Sequence, residues 1–258
     1  MRWRHVLITG ASSGLGRALA EAVAAPGVTL HLSGRDAARL AAAAEACRAR
    51  GATALPRVLD VTDAAGMAEW VGGAGPLDLV IANAGVSGGT GGAVEPPAQA
   101  RRIFATNLDG VLNTVLPALA VMAAQPAREG VRGQVGVVAS LAAFVAAPGA
   151  PAYCAAKAAV QRWAEALDAT EQARGIRVSS ICPGYVATPM TARNAFPMPW
   201  LMTPEAAAAR TLAGLAARRL RIAYPRRLYA LARMVGALPP GWRNALMTKL
   251  PAKAIQEP

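Results

Sequence analysis

The sequence predicts an α/β protein: a parallel sheet covered by helices on both faces. Two observations carry that prediction. Short, near-continuous apolar runs alternate with Ala-rich helical stretches along the chain, and the first run ends in a glycine-rich turn that opens a helix. Strands buried on both faces read as unbroken apolar runs, and helices joining parallel strands must lie over the sheet. With 258 residues, 54% of them hydrophobic, the chain can bury a sizeable core as one domain.

The strands are expected at residues 6–9, 28–32, 54–59, 77–82, 135–139 and 177–182, with 220–225 as the last. No internal repeat interrupts the series. Glycine clusters at 72–75 and 88–92 read as surface loops; the second follows a strand end, where it either borders a ligand or serves as a flexible linker. A helical stretch over about 98–124 contains Asn107, a residue that is neutral to unfavourable in a helix interior unless it has local hydrogen bonds to make. Residues 135–160 are apolar, but Ser140, Pro148, Gly149, Pro151 and Lys157 interrupt them, so no transmembrane helix is expected there. After 225, Leu228, Leu231, Ala232, Val235 and Leu238 recur at helical spacing, and beyond Pro239-Pro240 so do Trp242, Leu246 and Leu250. Residues 1–225 thus read as the main body of the domain and 226–258 as a basic amphipathic helical extension of it.

Three widely spaced cysteines, Cys47, Cys154 and Cys182, suit neither a disulfide framework nor a metal cluster, and no metal site is expected. The N-terminus lacks a signal-peptide pattern, which predicts a cytoplasmic protein. Net charge is +12, and residues 210–258 hold ten Lys or Arg against one acid, Glu257. The basic extension admits three readings: a subunit contact or pocket wall, a peripheral foot on the anionic inner membrane surface, or a nucleic-acid patch. The last is set aside, because no nucleic-acid motif is present and the rest of the chain is not basic.

Two motifs carry chemistry. In Tyr153-Cys-Ala-Ala-Lys157 a phenol and an ammonium stand one helical turn apart, thirteen residues beyond Ser140. Such a spacing also occurs on ordinary solvated helix faces, but an adjacent cation favours phenolate and moves a phenol toward the range useful for proton transfer. The turn after the first strand reads Thr9-Gly10-Ala11-Ser12-Ser13-Gly14-Leu15-Gly16. Glycines there let the backbone approach a pyrophosphate seated on the unpaired N–H groups of the helix start.

Taken together with Asp60-Val61, Asn83-Ala84-Gly85, Asn107 and Pro183-Gly184-Tyr185-Val186-Ala187-Thr188, these motifs resemble, in order, those of the short-chain dehydrogenase/reductase family over roughly residues 4–225. The resemblance implies a doubly wound Rossmann fold with strand order 3-2-1-4-5-6-7, and hydride transfer between a nicotinamide cofactor and a carbonyl or secondary alcohol. It implies a catalytic set of Asn107, Ser140, Tyr153 and Lys157. Ser140 would position the substrate carbonyl, and Tyr153 would exchange the proton. Lys157 would lower the Tyr153 pKa and hold the nicotinamide ribose, with Asn107 supporting a proton relay behind it. The cofactor would lie on Gly10, Ser12, Ser13, Gly14, Leu15 and Gly16. Asp60 and Val61 would meet the adenine, Asn83, Ala84 and Gly85 the sheet edge, and Pro183, Gly184, Val186 and Thr188 the nicotinamide.

Relatives that prefer NAD(H) are expected to carry an acid at the end of the second strand, where Gly34 stands here; Arg35 follows and suits a 2′-phosphate. NADP(H) is therefore expected over NAD(H). A one-residue slip that makes Asp36 the ribose acid, or a plain solvated helix start, competes with that reading. Leu141, Phe144, Tyr185 and Met190, with Ser140 and Tyr153, are the expected substrate contacts. The greasy segment after Thr188 favours an apolar carbonyl compound, unless it packs on the fold or a partner; its one charge, Arg193, leaves room for a substrate carboxylate. The family's common apolar-Asp-Gly-Gly ending is missing, which puts the usual four-subunit packing in doubt and leaves a homo-dimer or homo-tetramer open. A non-catalytic scaffold or sensor, which would predict a damaged catalytic set, and a membrane-associated lipid-pathway reductase are the rival functions.

Overall fold

The computed structural model describes residues 3–128, 130–249, 253 and 255. Its single sheet has seven parallel strands in the order β3-β2-β1-β4-β5-β6-β7, the order that the resemblance implies. The strands are β1 (His5–Ile8), β2 (Thr29–Gly34), β3 (Thr53–Val58), β4 (Leu79–Ala82), β5 (Gly133–Val138), β6 (Ile176–Pro183) and β7 (Arg221–Tyr224). Between them run α1 (Gly14–Val23), α2 (Ala37–Arg48), α3 (Ala64–Gly72), α4 (Pro97–Phe104), α5 (Gly110–Ala124), α6 (Pro151–Glu171) and α7 (Pro204–Ala216).

Side-chain alternation along the strands divides the core in two. Val6, Ile8, Leu30, Leu32, Leu79 and Ile81 face α1, α2 and α7 through Leu15, Leu19, Leu40 and Leu215. Leu7, Val80, Val135, Val137 and Val178 face α3, α5 and α6 through Met67, Val115, Met122 and Val160. At the edge strand β3 this order relaxes, because Leu55 and Val58 are exposed and Pro56 removes a ladder donor. The three cysteines are free and buried, as small core residues.

The long helix expected over 98–124 forms as α4 and α5 joined through a π turn, Ala105–Asp109, which holds Asn107. Among the described residues, Pro97–Ala124 is the one helical stretch long and apolar enough to cross a membrane; here it lies against the domain, with Val111, Val115, Leu119 and Met122 in the second core.

The extension after β7 forms α8 (Arg226–Gly236) and α9 (Pro240–Met247). Leu228 and Tyr229 pack on the second core, and the Tyr229 ring meets Phe144 edge-on with centroids 5.2 Å apart. Arg221 ties the corner together: Nη1 donates to the Tyr229 hydroxyl at 2.8 Å, Nε donates to Glu165 at 2.6 Å, and the guanidinium lies 5.2 Å from the Phe144 ring centre. The expected apolar seam is only partly covered. Leu231 and Leu246 are exposed along with Met234 and Trp242, because α8 rests on the fold along the line through Leu228, Tyr229 and Gly236. Leu250 lies outside the described residues.

A Cβ at Gly236 would stand 1.8 Å from the Phe144 carbonyl oxygen. Gly236→Ala should therefore push α8 off the fold, with an overpacking penalty of about 1–3 kcal/mol. A lower Tm and faster proteolytic cutting within 226–249 are the expected readouts; unchanged values would contradict this docking.

Candidate active site

The site grows out of the β1–α1 turn. Gly10 and Gly14 hold positive φ of 65° and 54°, a region that favours glycine. Gly16 has no room for a side chain, since its Cβ would lie 2.2 Å from the Gly10 carbonyl oxygen. Asn83, just past β4, fixes the turn: its Nδ2 donates to the Thr9 and Gly10 carbonyls at 2.9 and 3.2 Å, and its backbone N–H donates to the Thr9 hydroxyl at 3.1 Å. Ser13 occupies the N-cap of α1 without a side-chain capping bond. The first N–H groups of α1 are thus left to an anion, and the turn fits a dinucleotide pyrophosphate.

One cleft of about 350 Å3 runs from this turn across the carboxyl ends of the strands. Gly10, Ser12, Ser13, Gly14, Leu15, Gly16, Arg35, Asp60, Val61, Asn83, Ala84, Gly85, Pro183, Gly184, Val186 and Thr188 all line it, together with Ser140, Tyr153, Lys157 and Met190. Near β2, a Cβ on Gly34 would meet Ser12 at 3.1 Å. The Arg35 guanidinium stands 3.5 Å from the Asp60 carboxylate and remains largely exposed. Burial alone would raise the Asp60 carboxyl, but bonds from the Thr62 N–H and hydroxyl, with Arg35 nearby, hold it below its ordinary value. Asp36 also lines the cleft, and it caps α2, accepting from the Arg39 N–H at 2.9 Å and from Arg39 Nε at 2.6 Å. Arg39, which lies outside the sequence motifs, also lines the cleft and adds a second guanidinium to it; its position four residues after Arg35 was the available signal.

At the other end, Pro151 starts α6, so Tyr153 sits in its first turn and Lys157 one turn later. Lys157 is only 4% exposed, and its Nζ donates to the Val138 carbonyl at 2.8 Å. Loss of water lowers its ammonium to about 8. Tyr153 departs from expectation. Burial pushes its phenol above the usual tyrosine value, opposed by hydrogen bonding with the Ser140 hydroxyl, rather than Lys157 pulling it down. Both groups are desolvated, and Lys157 gives one of its three donors to Val138. Asn107, fully buried, clamps the loop after β4: Oδ1 accepts from the Val86 N–H and Nδ2 donates to the Val86 carbonyl, each at 2.8 Å. Its amide therefore holds the loop, rather than standing free for a relay. Gly85 lies between Asn107 and Lys157, with its would-be Cβ 3.1 Å from Asn107 Oδ1 and 3.4 Å from Lys157 Nζ.

Three expected substrate contacts do not line the cleft. Leu141 is buried in the second core, Phe144 faces Tyr229, and Tyr185 meets Phe196 edge-on at 6.2 Å. The reason is local: the residues after Ser140 form a short 3-10 turn, Leu141–Phe144, capped by the Ser140 hydroxyl accepting from Ala142 at 3.1 Å, and that turn faces α8. Met202 of the greasy segment is pinned to the fold by a parallel bridge to Val186. Thr191, also missed, lines the cleft and accepts from the Thr188 N–H at 2.9 Å.

A doubly wound sheet with an anion-ready glycine turn and a phenol-ammonium pair at one strand edge defines a dinucleotide-dependent oxidoreductase site. Residues 4–196 match the short chain dehydrogenase family model, and the chain belongs to the short-chain dehydrogenase/reductase family. It is 38% identical to an uncharacterized oxidoreductase of Myxococcus xanthus over 93% of this chain and 94% of that one. A short-chain dehydrogenase from Sphingobium yanoikuyae, in complex with NADPH, superposes with a TM-score of 0.79 at 25% identity over 96% of both chains. A short chain dehydrogenase/reductase from Burkholderia phymatum, in complex with NAD, shares the fold with a TM-score of 0.81 at 23% identity over 98% of both.

The Lys157 shift sets a pH dependence. Its folded value lies below the ordinary lysine value, so the unfolded chain holds that proton more tightly; the group lowers stability below about pH 8, and the penalty fades as pH climbs toward about 10.4. Lys157→Met removes this term. The Tm of K157M minus that of the parent should be positive near neutrality and shrink on the alkaline side, whereas a pH-independent difference would contradict a buried, weakened ammonium.

Proposed function

We propose that this protein reduces apolar carbonyl compounds with NADPH, with Tyr153 as the proton donor. The observation that carries the reading is the placement of Ser140, Tyr153 and Lys157 in one cleft with the glycine turn and with Arg35. A nicotinamide bound there supplies the hydride. The residues of the chain do the rest. Ser140 offers a hydroxyl to the carbonyl oxygen, and Tyr153 delivers a proton to that oxygen as negative charge develops on it. The phenol is protonated at neutral pH at its ordinary value, and burial shifts it further the same way. Lys157, on the next turn of α6, places a cation where phenolate forms, and Asn107 keeps the loop at Val86 from intruding. Atoms balance as carbonyl, hydride and proton giving alcohol.

Arg35 and Arg39 in the cleft, with Gly34 rather than an acid as the last residue of β2, support NADPH over NADH. The relative bound to NADPH is consistent with that choice; the one bound to NAD represents the alternative. Met190 and the segment after it support an apolar substrate.

Tyr153→Phe should bind cofactor as the parent does, measured by nicotinamide fluorescence, while turnover falls about 10²- to 10⁴-fold, the range for a lost general acid. Persistent turnover would show that another group gives the proton. Replacing Arg35 and Arg39 together with Ala should weaken NADPH about tenfold or more, equivalent to about 1.4 kcal/mol, and leave NADH nearly unchanged. An equal loss for both cofactors would overturn the preference.

A further inference from the structure

We propose that Lys253 forms an anion-binding subsite beside Tyr153, so that the carbonyl substrate carries a carboxylate as well as an apolar body. The inference rests on the reductase reading and deepens it. Lys253 belongs to the segment beyond α9, yet it lies against the catalytic helix. Its Nζ stands 5.3 Å from the Tyr153 ring centre and donates to the hydroxyl of Ser87, a buried residue in the loop after β4. The main chain fixes this position: the Lys253 carbonyl accepts from the Gly91 N–H at 2.8 Å. Gly89 must lack a side chain for the segment to lie there, since a Cβ on it would fall 2.2 Å from that same carbonyl oxygen. The glycine cluster at 88–92 is thus a bed for Lys253.

Among the described residues no carboxylate pairs with the Lys253 ammonium, and its neighbours are the Ser87 hydroxyl, the Tyr153 ring and the buried Cys154 thiol. Glu95, whose charge acts on Cys154, accepts from the Ala152 N–H at 3.0 Å and from Gln99 at 3.1 Å. A cation shielded from water is unfavourable until an anion meets it, and loss of water already weakens this one to about 8. With Nζ 5.3 Å from the Tyr153 ring centre, a carboxylate on Nζ and a carbonyl at the phenol can belong to one small molecule. Ammonium-to-carboxylate pairing of this kind discriminates sharply against a neutral ester, which leaves the cation unpaired.

The test compares a medium-chain oxo carboxylic acid with its methyl ester, using NADPH. The parent should prefer the acid in kcat/KM by about tenfold or more, and Lys253→Met should erase the preference through KM. Equal use of acid and ester by the parent, or a preference that survives in K253M, overturns the proposal. Binding is measured in parallel by calorimetry on the cofactor-loaded protein, with a medium-chain fatty carboxylate and the matching alcohol as probes. Carboxylate binding that weakens about tenfold in K253M, with alcohol binding unchanged, supports the subsite even if no carbonyl is turned over and the reductase reading falls. Equal carboxylate binding by both proteins overturns it.

Discussion

The site depends on one close approach, where the ends of β1 and β4 meet. The strand order places β2 on one side of β1 and β4 on the other, so the chain reverses direction across β1 and a crevice opens there at the carboxyl edge. Asn83 closes the base of that crevice by donating to the Thr9 and Gly10 carbonyls. Gly16 must stay bare because the Asn83 amide would lie 2.4 Å from its Cβ. The same contact aims the start of α1, whose uncapped N–H groups then point into the cleft. Turn, crevice and helix start are in this sense one feature.

The proton-transfer half is built on the neighbouring strand edge by a different device. The π turn puts Asn107 where its amide can hold both the N–H and the carbonyl of Val86, and that clamp fixes the loop after β4 with Gly85 lodged between Asn107 and Lys157. Lys157 and Tyr153 pass into low dielectric, where each charged form is disfavoured. The pair is accordingly set up as a neutral phenol and a weakened ammonium, the state that the proposed donation by Tyr153 starts from.

Much of this was legible in the sequence because it was written in strict local patterns. The seven strands lie within two residues of the expected runs, since strands covered on both faces leave unbroken apolar stretches. Many of the cleft-lining residues belong to ordered motifs, most of them just past a strand end, whereas Arg39 and Thr191 belong to none. What could not be read were contacts between distant segments. Phe144 looked like a substrate contact until α8, more than eighty residues later, supplied Tyr229 as its partner. The direction of the Tyr153 shift depends on burial, which no spacing reveals, and the meeting of Lys253 with Ser87 joins residues 166 positions apart. Glycines 88–92 resembled a linker because the segment that needs them follows much later in the chain.

The central claim is that this cleft transfers hydride directly to a carbonyl carbon while the chain supplies the proton. It is tested most directly with NADPH deuterated at its transferable hydrogen, offered with a panel of carbonyl compounds graded by size, polarity and charge. Deuterium retained on the carbinol carbon of the product, with solvent hydrogen only on oxygen, is the predicted result. Binding of NADPH without transfer to any member of the panel, or deuterium lost to water, would contradict it.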